Sequence, residues 1–113
     1  MDGIVFYGTE RREEIVEFYR SLGASVWLEQ PDCTIFRAGG FRFGFCARET
    51  ADTDGILTFV FEDRAGVDDA HNRLADQATE PPQYNERYEI YQCFATDPEG
   101  RTVEFQTFEH DES

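Results

Sequence analysis

The sequence predicts an α+β protein made of two diverged β-α-β-β-β halves. Three observations carry this prediction: the chain matches itself at two offsets, each half holds one helix with a single apolar face, and the strands that follow alternate apolar with polar residues. Shifted by 52, the run Asp2-Gly3-Ile4-Val5 lies on Asp54-Gly55-Ile56-Leu57, Ile15 on Val67 and Leu22 on Leu74. Shifted by 60, Cys33 lies on Cys93, Gly40 on Gly100 and Phe45 on Phe105. Two internally consistent offsets imply one repeated unit with about eight extra residues in the second half. We therefore expect a single domain over 1–113, with one module at about 1–50 and the other at about 54–113.

In the first half, 4–9 is strand-forming and a helix follows over 11–22. Its apolar positions Ile15, Phe18, Tyr19 and Leu22 recur at helical spacing, and Gly23 suits a left-handed C-terminal cap. Glu10, Glu13, Glu14 and Glu17 line its solvated side. Strands are expected at 25–29, 34–37 and 41–46, separated by the turn residues Gln30-Pro31-Asp32 and Ala38-Gly39-Gly40. The second half repeats the order with a strand at 56–61 and a helix over 64–75, Asp63 as its N-cap and Val67, Ala70 and Leu74 inward. A weak strand near 78–80 is broken by Pro81-Pro82, a second runs over 89–95, and Asp97-Pro98-Glu99-Gly100 turns the chain into a last strand at 102–108.

Alternation assigns the sheet faces. Phe41, Phe43 and Phe45 turn to the helix with Val103 and Phe105, leaving Arg42, Gly44, Cys46, Thr102, Glu104 and Gln106 on the other face. On the first strands Val5, Tyr7, Leu57, Phe59 and Phe61 face the helices, while Ile4, Phe6, Ile56, Thr58 and Val60 face away. A helix-free face mixing apolar with a few polar residues has the composition of a ligand pocket, and we expect the two halves to share one.

Composition narrows the classes. With 113 residues, 40% hydrophobic and eleven of them Phe, the chain can fold without structural metals or disulfides. No run approaches the ~18 apolar residues of a membrane span, and no signal-peptide pattern opens the chain, so a cytoplasmic, non-membrane protein is expected. Cys33, Cys46 and Cys93 lack Cys-x-x-Cys spacing and read as reduced core or pocket-wall thiols, with a reactive role for Cys46 as the alternative. There are 24 acidic residues against 10 basic ones, all of them Arg, giving a net charge of -14. That charge disfavours nucleic acid as a partner and, with Lys eliminated, fits a salt-loving organism; an ordinary acidic protein is the alternative.

Two segments carry a family resemblance: Glu17-Phe18-Tyr19-Arg20-Ser21-Leu22-Gly23 at the end of the first helix, and Asp97-Pro98-Glu99-Gly100-Arg101-Thr102-Val103-Glu104-Phe105 at the last turn and strand. With the repeat, they make the chain resemble the vicinal oxygen chelate superfamily of glyoxalases, bleomycin-resistance proteins and extradiol dioxygenases. The resemblance implies a curled mixed sheet forming an open, cup-shaped barrel with helices on its convex face, usually within a homodimer. It does not imply a reaction. In metal-dependent members the ion is held by His, Gln or Glu on the first and last strand of each module. The matching positions here are Ile4, Gly44, Ile56 and Glu104, three of which have no oxygen or nitrogen side-chain donor. No catalytic metal and no cofactor are expected, although a register slip would bring Asp2 and Asp54 nearer.

Glu104 is the candidate catalytic residue, as a carboxylate among apolar neighbours that acts as general acid or base; the alternative is a relic of an ancestral metal site paired with Arg42 or water. Arg42 either clamps an anionic ligand group or forms an internal ion pair. The expected pocket comprises Arg42, Cys46, Ile4, Phe6, Ile56, Thr58, Val60, Gln106, Tyr88 and Tyr91. Tyr84, Tyr88 and Tyr91 flank an irregular segment and serve either the pocket or a dimer interface. His71 reads as a helix boundary residue and His110 lies in the acidic tail, so no nucleophile-histidine pair is indicated. The expected function is binding of a small organic ligand without turnover. The alternatives are a lyase or isomerase using Glu104, a metal-dependent lyase or dioxygenase, and a dimeric module without ligand.

Overall fold

The structure, a computed structural model, describes residues 1–74, 76–78 and 80–109. Both halves adopt the predicted order: β1 (Val5–Thr9), α1 (Arg12–Leu22), β2 (Ser25–Glu29), β3 (Cys33–Ala38) and β4 (Phe41–Ala47), then β5 (Ile56–Val60), α2 (Arg64–Arg73), β6 (Gln83–Asn85), β7 (Ile90–Thr96) and β8 (Thr102–Phe108). The strands form two four-stranded mixed sheets, ordered β1-β4-β3-β2 and β5-β8-β7-β6. In each, the first strand of the half runs parallel to the last, and the remaining pairs are antiparallel. Two compact units result, one of Met1–Asp54 with Pro98–Gly100, the other of Gly55–Asp97 with Arg101–Ser113. Among the described residues no helix is long and apolar enough to cross a membrane.

In the first unit, α1 buries the predicted stripe of Ile15, Phe18, Tyr19 and Leu22 and ends at Gly23, whose φ of 114° is the left-handed value glycine adopts without strain. The Tyr19 ring packs on Phe36, Phe43 and Phe45 with centroids 6.1, 5.4 and 5.0 Å away. This aromatic stack is the core of the unit. The helix start is held by Glu99, which accepts from the Thr9 hydroxyl and, at 2.9 Å, from the Glu10 backbone N–H. A carboxylate there also suits the positive end of the helix.

In the second unit, Asp63 caps α2 by accepting from the Gly66 N–H at 3.1 Å, as its position predicts. Val67 and Ala70 are buried. Arg101 and Asp97 form a fully buried ion pair at 3.1 Å, with side-chain exposures of 2% and 0%. The Arg101 N–H also donates to Asp97 Oδ1 at 3.0 Å, closing the turn before β8.

Three expectations are corrected. The strand placed near 78–80 lies instead at Gln83–Asn85, beyond the proline pair; Pro lacks the N–H a ladder needs, so pairing with β7 begins only after it. Within 78–80, Ala78 contributes an isolated bridge to Ala95, and Thr79 is outside the described residues, as are Ala75 and His110. The match of Cys33 with Cys93 slips by one residue. Between the equivalent pairs Arg37↔Arg42 and Thr96↔Thr102, the second hairpin carries one more residue, which moves Cys93 to the opposite sheet face. Finally, Cys33 and Cys46 are not thiols but a disulfide, and only Cys93 is free.

Candidate functional site

The helix-free faces carry most of the candidate residues, and each unit presents its own set. In the second unit, alternation along β5 buries Leu57 and Phe59 against the core and turns Ile56, Thr58 and Val60 the other way. Parallel pairing places Thr58 abreast of Glu104 and Val60 abreast of Gln106. The three polar side chains converge: the Thr58 hydroxyl donates to Glu104 Oε1 at 2.9 Å, and Gln106 Nε2 donates to the same oxygen at 3.2 Å. Glu104 is 8% exposed. No hydrogen bond to Oε2 and no ion pair of Glu104 occur among the described residues. The cluster therefore fixes the carboxylate through one of its two oxygens. Ile56 and Val60 flank it with exposed apolar surface.

The donor set does not suit a catalytic metal. Oε1 of Glu104 is occupied by two donors, Gln106 presents its nitrogen rather than its oxygen, and one carboxylate falls short of the three protein ligands such an ion normally takes. Among the described residues no group of three or more His, Cys, Asp and Glu side chains is arranged for an ion.

In the first unit, Phe6 pairs with Gly44, and its ring covers that glycine so closely that a Cβ there would sit 2.8 Å from it. The residue beside Gly44 is thus Phe6 rather than Ile4, which precedes β1. Arg42 lies over the Trp27 ring, 4.5 Å from its centroid, and 3.7 Å from Asp2. Trp27 sits where the β2–β3 register shifts between Val26 and Leu28, a bulge that re-aims its side chain. A bulge has no marker in the sequence here, so this neighbour of Arg42 was not foreseeable. Elsewhere in the same unit, Phe6, Tyr7, Gly8, Gln30, Cys33, Cys46, Arg48 and Asp52 bound a hollow of about 440 Å³. The Gly8 N–H donates to Asp52 at 2.6 Å along its rim. A larger hollow of about 860 Å³ lies along the outer flank of α1, among Arg12, Glu13, Glu17 and Arg20. It carries none of the predicted residues.

The tyrosines divide. Tyr91 turns toward α2 rather than to the helix-free face: its hydroxyl donates to Asp68 at 2.7 Å, which raises its pKa, and its ring lies 4.4 Å beneath the Arg64 guanidinium. Tyr84, paired with Tyr91, also lies near Arg64. Tyr88 is exposed in the β6–β7 turn with Arg87 over its ring. His71 lies half-buried on α2. Cys93 is 2% exposed, and burial, with the charges of Asp68 and Glu104, pushes its thiol up to about 11.

This architecture matches solved structures over nearly its whole length. The chain superimposes on a glyoxalase/bleomycin resistance protein/dioxygenase family enzyme from Burkholderia phytofirmans with a TM-score of 0.80, covering 95% of this chain and 98% of that one at 19% identity. The fold is that of the glyoxalase/bleomycin resistance/dioxygenase proteins. A lactoylglutathione lyase from Agrobacterium tumefaciens shares this glyoxalase-like fold with a TM-score of 0.73 at 19% identity, covering 95% and 91% of the two chains. So does an integron cassette protein from Halifax Harbour sewage, with a TM-score of 0.78 at 15% identity over 96% and 98%. No family model matches the sequence, and no curated protein matches it. At such identities the glyoxalase-like likeness is one of fold.

Proposed function

We propose that this chain binds a small organic molecule in the manner of the bleomycin-resistance type, without a catalytic metal. The observation that carries this reading is the Glu104 cluster, a carboxylate anchored through Oε1 by Thr58 and Gln106. A ligand hydroxyl or N–H would donate to Oε2, and its apolar part would cover Ile56 and Val60, each more than half exposed. The side chains at the superfamily's metal positions support the metal-free part of the reading.

The test is a thermal-shift screen of metabolites bearing a hydroxyl or N–H donor, followed by calorimetry on the wild type and on Glu104→Gln. A ligand that stabilises the wild type and loses about tenfold or more in affinity to Glu104→Gln, as a charge-assisted bond of about 1.5–3 kcal/mol implies, supports the reading. Hits that bind both proteins equally would sink it. A second reading follows from the absence of an ion pair at Glu104 among the described residues: an unpaired carboxylate can take a proton from a bound carbonyl or hydroxy compound. Consumption of the same ligand by the wild type and not by Glu104→Gln distinguishes turnover from binding.

A further inference from the structure

We propose that the Cys33–Cys46 bridge is a site of reversible exchange with small thiols, entered from the hollow that Phe6, Gly8 and Arg48 bound.

The first ground is placement. Cys33 and Cys46 face each other across the antiparallel β3–β4 pair, with Cα atoms 4.0 Å apart. The neighbouring pair Asp32 and Ala47 is hydrogen-bonded, so the cysteines occupy the non-hydrogen-bonded position, where side chains come closest. Their side chains leave the sheet on its helix-free face, with Gly44, and line the hollow of about 440 Å³. A monothiol of a few heavy atoms fits that volume.

The second ground is redundancy. β3 and β4 are the two inner strands of their sheet, joined by the tight Gly39-Gly40 turn and paired over six positions from Cys33↔Cys46 to Ala38↔Phe41. β1 and β2 pair outside them. The register is held without the bridge, so opening the bridge is a local event. A disulfide that alone closed a long loop would instead be tied to folding.

The third ground is the contrast with Cys93. Cys33 and Cys46 are 7% and 6% exposed and line the hollow of about 440 Å³, whereas Cys93 is 2% exposed and borders only one of about 30 Å³. Charge in the larger hollow is mixed, with Arg48 paired to Asp32 at 3.2 Å, Asp32 Oδ1 3.6 Å from Cys33 Sγ and Asp52 on the lining, and this suits a cationic thiol.

In the first step an external thiolate attacks one Sγ. The S–S bond breaks, a mixed disulfide forms, and the other Sγ leaves as a thiolate that takes a proton from water. A second external thiolate displaces the protein sulfur from the adduct, leaving two protein thiols and one external disulfide. Two electrons pass to the protein from two thiols. The intermediate places the adduct in the hollow, beside the Phe6 ring.

The experiment uses the folded, oxidised protein and cysteamine, whose positive charge suits an acidic surface. After incubation without denaturant, free thiols are alkylated, and intact mass and peptide mapping locate the products while circular dichroism follows the fold. The expected result is a cysteamine adduct on Cys33 or Cys46, then loss of the bridge, with Cys93 unmodified and the spectrum unchanged. A bridge that opens only in denaturant, an adduct on Cys93, or unfolding that accompanies reduction would each overturn the proposal. Because none of these readouts involves Glu104, failure here leaves the ligand-binding reading untouched.

Discussion

The Arg101 guanidinium is among the largest side chains wholly buried in the protein, and its charge is met by Asp97 at 3.1 Å. Removing one member of such a pair strands the other in a low-dielectric interior. Asp97→Ala is therefore expected to cost about 3–5 kcal/mol, read as a shift in the urea unfolding midpoint. A loss below about 1 kcal/mol would mean that the guanidinium finds water. Cys93 supplies a pH signature. Its thiol ionises near 9 when unfolded and at about 11 when folded, chiefly through burial. The folded state thus holds the proton longer, so the associated stability is complete below about 9 and is lost as pH rises toward about 11. Unfolding free energy should fall across that window, and Cys93→Ala should flatten the fall. Glu109 behaves oppositely: its hydrogen bond from Arg64 lowers its pKa, so any contribution is lost on acidification, and both groups are too exposed for that to be large.

At the scale of elements, α2 offers a sharp test. Gly66 lies in its first turn, where alanine would ordinarily stabilise a helix by about 1 kcal/mol. A Cβ at that position, however, would stand 2.8 Å from Phe61 Cβ, an atom tied to the backbone, so the helix and the segment that follows β5 must part. Gly66→Ala is expected to lower stability by about 1–3 kcal/mol, measured by chemical denaturation, against the sign of helix propensity. The β3–β4 hairpin shows what an element makes readable. Its Ala38-Gly39-Gly40 turn fixes the pairing, and that pairing sets Cys33 opposite Cys46. The bridge follows from that register, which the reading of both cysteines as reduced thiols had not followed to its end.

For the molecule as a whole, the net charge of -14 on 113 residues dominates solution behaviour. Raising salt from about 0.1 M to about 1 M shrinks the screening length from about 10 to about 3 Å and relieves carboxylate repulsion. The melting temperature is expected to climb through that range and beyond, as relief of carboxylate repulsion requires. A melting temperature independent of salt would remove that inference. The charge places no constraint on the fold, which chains at 13–19% identity share.

The sequence by itself determined the element order, the apolar faces of both helices, the Gly23 and Asp63 caps and the sheet face of Thr58, Glu104 and Gln106. These rest on periodicity and turn chemistry, which are local and survive divergence. Only the tertiary structure decided that Thr58 and Gln106 both bond one oxygen of Glu104, that Tyr91 turns to Asp68, and that Arg101 is buried on Asp97. Such contacts depend on strand register, where a single extra residue in a turn exchanges one face for the other.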